Sequence, residues 1–152
     1  MAETMTPSSG MITRRAKVDP GRTPEQVLNA LGRRQYVDRE VVKTMPRGQG
    51  AEGDVLFFCA HRSFISDDDL EAEFESRGLV PADPYKVAAV NQDDPSFADE
   101  HPNATHWKDS RGRWCYFVCY RLGGERGVDV DRYGHDWDDR WWFAGVRKFS
   151  DS

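Results

Sequence analysis

The chain has no long hydrophobic run. No stretch approaches the roughly 18 apolar residues that a bilayer-spanning helix requires, and residues 1–21 carry no apolar core of a secretion signal. No membrane association and a cytoplasmic location are therefore expected. Positive charge is also in deficit, with a formal net charge of −5. Neutralising phosphates takes clustered Lys and Arg, so general nucleic-acid binding is excluded. Cysteine is scarce: the 3 present, without an export signal, read as reduced thiols and not as a disulfide framework. Asn103-Ala104-Thr105 matches a glycosylation acceptor, which means nothing without export. Apolar content is low as well, at 38% with a mean hydropathy of −0.75.

What the chain has is rings: 5 Trp, 5 Tyr and 8 Phe. Each ring buries a large area, so a core can be built from few positions. At 152 residues the chain fits one domain, and a domain of that size buries about 68–70% of its unfolded surface without help from a metal or disulfide. Composition predicts a folded, highly charged domain.

Residues 1–22, rich in Ser, Thr, Pro and Gly without periodicity, are expected to form a flexible tail, leaving a domain over residues 23–150. Thr23-Pro24-Glu25-Gln26 has the pattern of a capping box with Pro at the first helical position, and Gly32 stops that helix. Residues 37–45 suit a helix capped by Asp38, although the valines suit a strand equally; helix is the reading taken. Residues 55–62, apolar on both faces, predict an interior strand. In "SDDDLEAEFESRGL" Ser66 caps a helix, three aspartates meet its positive end, Leu70 and Phe74 point inward, and Gly78 ends it. Asp83-Pro84 and Asp94-Pro95 open two shorter helices. From Thr105 onward the pattern becomes strands separated by turns at Ser110-Arg111-Gly112, at "LGGE" and at "GHDWDD". The expected fold is α+β: several short N-terminal helices packed on a mainly antiparallel sheet, made of a C-terminal meander of three or four strands plus strand 55–62.

The stretch "HPNATHWKDSRGRWCYFVCYR" concentrates residues that do chemistry. Cys115 and Cys119, four residues apart on a strand, are separated by roughly 13 Å. Disulfide Cα atoms must lie within about 7 Å, and two zinc-bound sulfurs closer still. Both thiols share a face with Phe117, while Trp114, Tyr116, Val118 and Tyr120 take the other, so core packing is the reading. Cys59 and His61 share a face and could join those thiols across strands, but a buried thiol is the commoner state, and neither a metal nor a cofactor is expected. His101 and His106 flank Pro102-Asn103 and are placed at the rim of a turn.

The segment "DVDRYGHDWDDR" fails as a calcium loop, because Tyr133 and Arg140 stand where oxygen ligands belong. Its distinctive feature is a ring among charges: Trp137 lies between His135, Asp136, Asp138, Asp139 and Arg140, with Trp141 and Trp142 following and facing opposite ways if extended. Trp137 either anchors an interface or folds back over the sheet edge. The leading expectation is a binding module whose partner is another protein, contacted through His135, Trp137, Asp138, Asp139, Arg140 and Trp142, with His101 and His106 as further candidates. One alternative is a hydrolase or metal-dependent enzyme using His101, His106 and the loop of Asp136, Asp138 and Asp139. Another is an acidic nucleic-acid mimic presenting Asp67, Asp68, Asp69, Glu71, Glu73 and Glu75.

The runs "ISDDDLEAEFESRGLVPADPYKVAAVNQDDPSFADEHPNATHWKD", "RWCYF" and "WDDRWWFAGVRK" resemble those of small uncharacterised bacterial or phage-encoded proteins over the greater part of the chain. That resemblance implies no activity, cofactor or site residue.

Overall fold

Local signals and long-range pairing together produce one eight-stranded sheet with helices on both faces. The computed structural model describes residues 10–132 and 136–148. In chain order the elements are β1 (Ile12–Lys17), α1 (Pro24–Ala30), β2 (Arg34–Val37), α2 (Arg39–Val42), β3 (Glu52–Cys59), α3 (Asp67–Ser76), β4 (Leu79–Pro81), α4 (Pro84–Asp93), α5 (Phe97–Glu100), β5 (Asn103–Lys108), β6 (Trp114–Leu122), β7 (Glu125–Asp131) and β8 (Trp142–Arg147). The strands run β1-β3-β8-β5-β6-β7-β2, and β4 pairs with β8 beyond the end of its contact with β5. Two pairs are parallel, β5 with β8 and β2 with β7; the others are antiparallel.

Four helices start where the sequence caps them; α5 does not, since Asp94 ends α4, Pro95 lies in the turn, and Ser96 precedes Phe97 without a side-chain cap. Thr23 and Gln26 close the capping box of α1, Asp38 Oδ1 accepts from Glu40 N, Ser66 Oγ from Asp69 N and Asp83 Oδ1 from Lys86 N. Each side chain satisfies a backbone N–H that the first helical turn leaves without a partner. No helix among the described residues is long and apolar enough to cross a membrane.

Four expectations are corrected. Residues 12–17 are not tail: alternating Ile12, Arg14 and Ala16 turn inward, and the segment pairs along β3 from Ile12↔Phe57 to Lys17↔Glu52. Partial burial at period two was the overlooked signal, masked by Arg14 and Arg15. The helices do not precede the sheet but alternate with strands, because short segments such as Arg34–Val37 and Leu79–Pro81 find partners far away in sequence. The ambiguous 37–45 region divides: Val37 ends a strand, Arg39–Val42 form a short helix capped by Asp38, and a turn follows. The interior strand begins at Glu52 and ends at Cys59, next to β8. The meander β5-β6-β7 is as expected, and β8 leaves it to lie on the far side of β5.

Two apolar layers result. On one face α1, α2, α4 and α5 cover Val55, Phe57, Trp107, Cys115, Phe117, Cys119, Val128, Val130 and Ala144. On the other, α3 and the flanking loops cover Leu56, Phe58, Ala104, Phe143 and part of β6. Inside the first layer the amides of Asn91 and Asn103 bond to each other reciprocally at 2.8 and 3.1 Å, which keeps two buried polar groups satisfied where α4 crosses β5.

Candidate binding groove

The alternation along β6 puts Trp114, Tyr116, Val118 and Tyr120 on the face that carries α3. One ten-residue helix is too small to cover that whole face. Through its own Phe74 it sits over Phe58, which in turn meets Phe143, and the rest is partly covered by the loop that follows β7. A two-way backbone bridge fixes this loop: Ile65 N donates to Trp137 O at 2.9 Å and Trp137 N to Ile65 O at 2.8 Å. Between this bridge and the β6–β7 ladder lies a groove of about 470 Å³. Its floor includes Val118, its walls are Trp114, Tyr116, Tyr120, Trp137 and Trp141, and Asp67, Asp129, Asp136 and Asp138 supply carboxylates. That volume falls within the range of small-ligand pockets.

The rings stand at right angles to one another. Trp137 meets Tyr116 at 79° and Trp141 at 84°, with centroids 5.8 and 5.7 Å apart. Trp137 is only 8% exposed, and its Nε1 donates to Asp67 Oδ1 at 2.9 Å. The folded-back alternative is therefore the observed one: Trp137 belongs to the second core layer and shows the groove one side of its ring. Asp138 accepts from Arg140 at 3.1 Å, and the Arg140 guanidinium lies 5.9 Å from the Trp141 ring. Asp139 is exposed, and its backbone oxygen accepts from Cys59 Sγ at 3.4 Å. Trp141 and Trp142 do face opposite ways, which removes Trp142 from the groove; it packs in the other layer, edge-on to His101 at 5.0 Å. His135 lies outside the described residues.

The two histidines are not rim residues of one turn. His101 stacks on Phe97 at 5.0–5.1 Å from its ring neighbours, on the α5 side. His106 lies on the α3 side with its side chain sealed from solvent. There Nδ1 contacts Asp67 Oδ1 at 2.6 Å and Nε2 contacts Glu71 Oε2 at 2.6 Å, while the Trp114 ring stacks on the imidazole at 4.1 Å and 16°. Asp67 and Glu71, four apart on α3, present their carboxylates on one side of the helix. Burial is the largest single influence on the His106 pKa and lowers it, but the hydrogen bonds and charges of Asp67 and Glu71 together raise it above the ordinary histidine value. His106 thus holds α3 to β5 and shapes the groove from behind, through Asp67 and Trp114.

Cys115 and Cys119 are core residues, and Cys59 is half-buried. Burial raises Cys115 and pushes Cys119 up to about 12, so neither is a nucleophile at neutral pH. Among the described residues no group of three or more His, Cys, Asp and Glu could hold a metal ion. The acidic run is engaged within the chain: Asp68 accepts from Trp114 Nε1, Asp69 and Glu73 meet Arg62, Glu73 also meets Arg77, and Glu75 accepts from Lys148.

Sequence reasoning missed Tyr120 and Asp129 as site residues. Both faces of β6 are apolar, which predicts cover on both sides; the groove exists because the cover is incomplete. Tyr120 lies across its cross-strand partner Gly127 and donates to Asp129 Oδ1 at 2.8 Å. A Cβ on Gly127 would stand 2.6 Å from the Tyr120 hydroxyl. Gly127→Ala should therefore displace the phenol from Asp129 and cost about 1–3 kcal/mol. Urea unfolding of the variant checks this; an unchanged midpoint would mean that the ring does not lie over Gly127.

Comparison with known proteins adds nothing to this geometry, since no protein-family model, no curated protein and no solved structure matches the chain.

Proposed function

We propose that this protein is a small cytoplasmic binding module that receives a segment of another protein in the groove between β6, β7 and the Trp137 loop. The observation that carries the reading is the concave aromatic wall of Trp114, Tyr116, Tyr120, Trp137 and Trp141 over a strand face that α3 leaves partly uncovered. Aromatic residues in a concave site give large contact area at low entropic cost and are favoured anchors of interfaces. Asp136, Asp138 and Arg140 supply the polar rim. Of the surface first expected, Trp137, Asp138 and Arg140 remain, Asp139 stands beside the groove, and Trp142 and His101 drop out with their face of the sheet.

The enzyme alternative has less behind it, since His106 is sealed and His101 lies on the other face, so neither meets Asp136 or Asp138 in a common cleft. The nucleic-acid mimic has less as well, because the carboxylates it needs are bonded within the chain.

The test is affinity capture from the native host with wild type, Trp141→Ala and the distant surface variant Arg39→Ala. A partner retained by wild type and Arg39→Ala and lost by Trp141→Ala is the expected result. The same partner set with all three would defeat the reading.

A further inference from the structure

Resting on that reading of the groove, we infer that its occupant is a cationic side chain, an arginine or lysine on an extended segment of the partner, held between the Tyr116–Trp137–Trp141 corner and the carboxylates of Asp129 and Asp136. The inference comes from which hydrogen-bonding capacity the groove has used and which it has left.

Three ring donors on its walls are spent. Trp137 Nε1 is given to Asp67 at 2.9 Å, Trp114 Nε1 to Asp68 at 3.2 Å and the Tyr120 hydroxyl to Asp129 at 2.8 Å. Arg140 is held by Asp138, and Arg121 at the groove's end donates to Asp99 at 3.3 Å. Acceptors are left. Asp129 takes one hydrogen bond, from Tyr120, and forms no ion pair among the described residues. Asp136 is exposed at the rim, also without an ion pair among them. A ligand that brings donors and positive charge answers both carboxylates.

The rings favour the same occupant. Perpendicular aromatic rings form a corner in which a cation can approach the electron-rich faces of more than one ring. The Trp141 ring already accommodates a guanidinium of this chain, that of Arg140, at 5.9 Å. Asp129 is half-buried, and burial raises its pKa despite the Tyr120 hydrogen bond, so its charge lacks solvation that a seated cation would restore. The apolar floor at Val118 suits the methylene stem of a long basic side chain, and the exposed Leu122 lies farther along β6 beyond Tyr120.

The experiment uses the full chain and a set of blocked pentapeptides identical except for a central Arg, Lys, Gln or Glu. Binding is read from the tryptophan indole N–H signals in two-dimensional NMR. Expected are saturable shifts with Arg or Lys at peptide concentrations up to about 1 mM, an affinity for Gln and Glu at least about tenfold weaker, and a loss of about tenfold or more in Asp129→Asn. That variant keeps the shape and the acceptor for Tyr120, and an unchanged unfolding midpoint certifies its fold. Equal response to Arg, Gln and Glu overturns the inference, as does full binding by Asp129→Asn. No response to any peptide overturns it too. If the peptides fail while the captured partner still depends on Trp141, only the cationic occupant is wrong and the protein-binding groove stands.

Discussion

Replacing His106 with alanine should lower the unfolding free energy by about 3–5 kcal/mol, the cost of breaking a buried charged group out of its hydrogen-bonded partners. The side chain is fully enclosed, and it spans the gap between β5 and α3 with one carboxylate on each ring nitrogen. Its removal leaves a cavity beneath Trp114 and Phe74. Glu71 is 43% exposed and can turn to water, whereas Asp67 is 12% exposed and keeps only the Trp137 indole. Most of the penalty therefore falls on Asp67. Its sign with pH follows from linkage. The folded pKa of His106 is raised, so its contribution is complete below the unfolded value of about 6.5 and fades as pH rises through the folded value. Wild type should lose stability on the alkaline side of that window, and His106→Gln should not share the slope. Urea denaturation of both proteins across this range measures it; parallel curves would mean that His106 is neutral when buried.

Phe74→Ala should cost about 3–5 kcal/mol, in the range for a buried ring reduced to a methyl group. Phe74 is the inward knob of α3. It meets Phe58 edge-on at 5.1 Å and His106 at 5.9 Å, and it fits over Gly145, where an added Cβ would come within 3.2 Å of the ring. Because α3 also carries Asp67 and Glu71, loosening it should weaken the groove along with the fold. Phe64, 69% exposed ten residues earlier, is the control: its change to alanine should stay within about 0.5 kcal/mol. Denaturant titration of the two variants checks the pair. Similar losses would show that Phe74 does not anchor α3.

Several elements were legible because their signals are local. The Thr23 capping box, the Ser66 cap with its three aspartates, the Asp83-Pro84 start and the glycine turns at Gly112 and Gly123 need only neighbouring residues. The segregation of Cys115, Phe117 and Cys119 from Trp114, Tyr116 and Tyr120 was equally legible, since a strand alternates by geometry. Edge strands were not. Ile12–Lys17 is half polar, and Leu79–Pro81 is three residues long, so neither pattern rises above its surroundings until β3 and β8 supply partners.

The site was legible only as a composition of rings and acids near Trp137. The sequence by itself determined which faces of β6 are apolar, where the helices begin, and that the thiols lie on one side of a strand. Tertiary structure alone decided that His106 is sandwiched between Asp67 and Glu71, that Trp142 faces away from Trp137, and that Tyr120 and Asp129 border an open groove. The physical reason is one of range: caps, turns and alternation depend on covalent neighbours, whereas a groove depends on how much of a sheet the packed elements fail to cover.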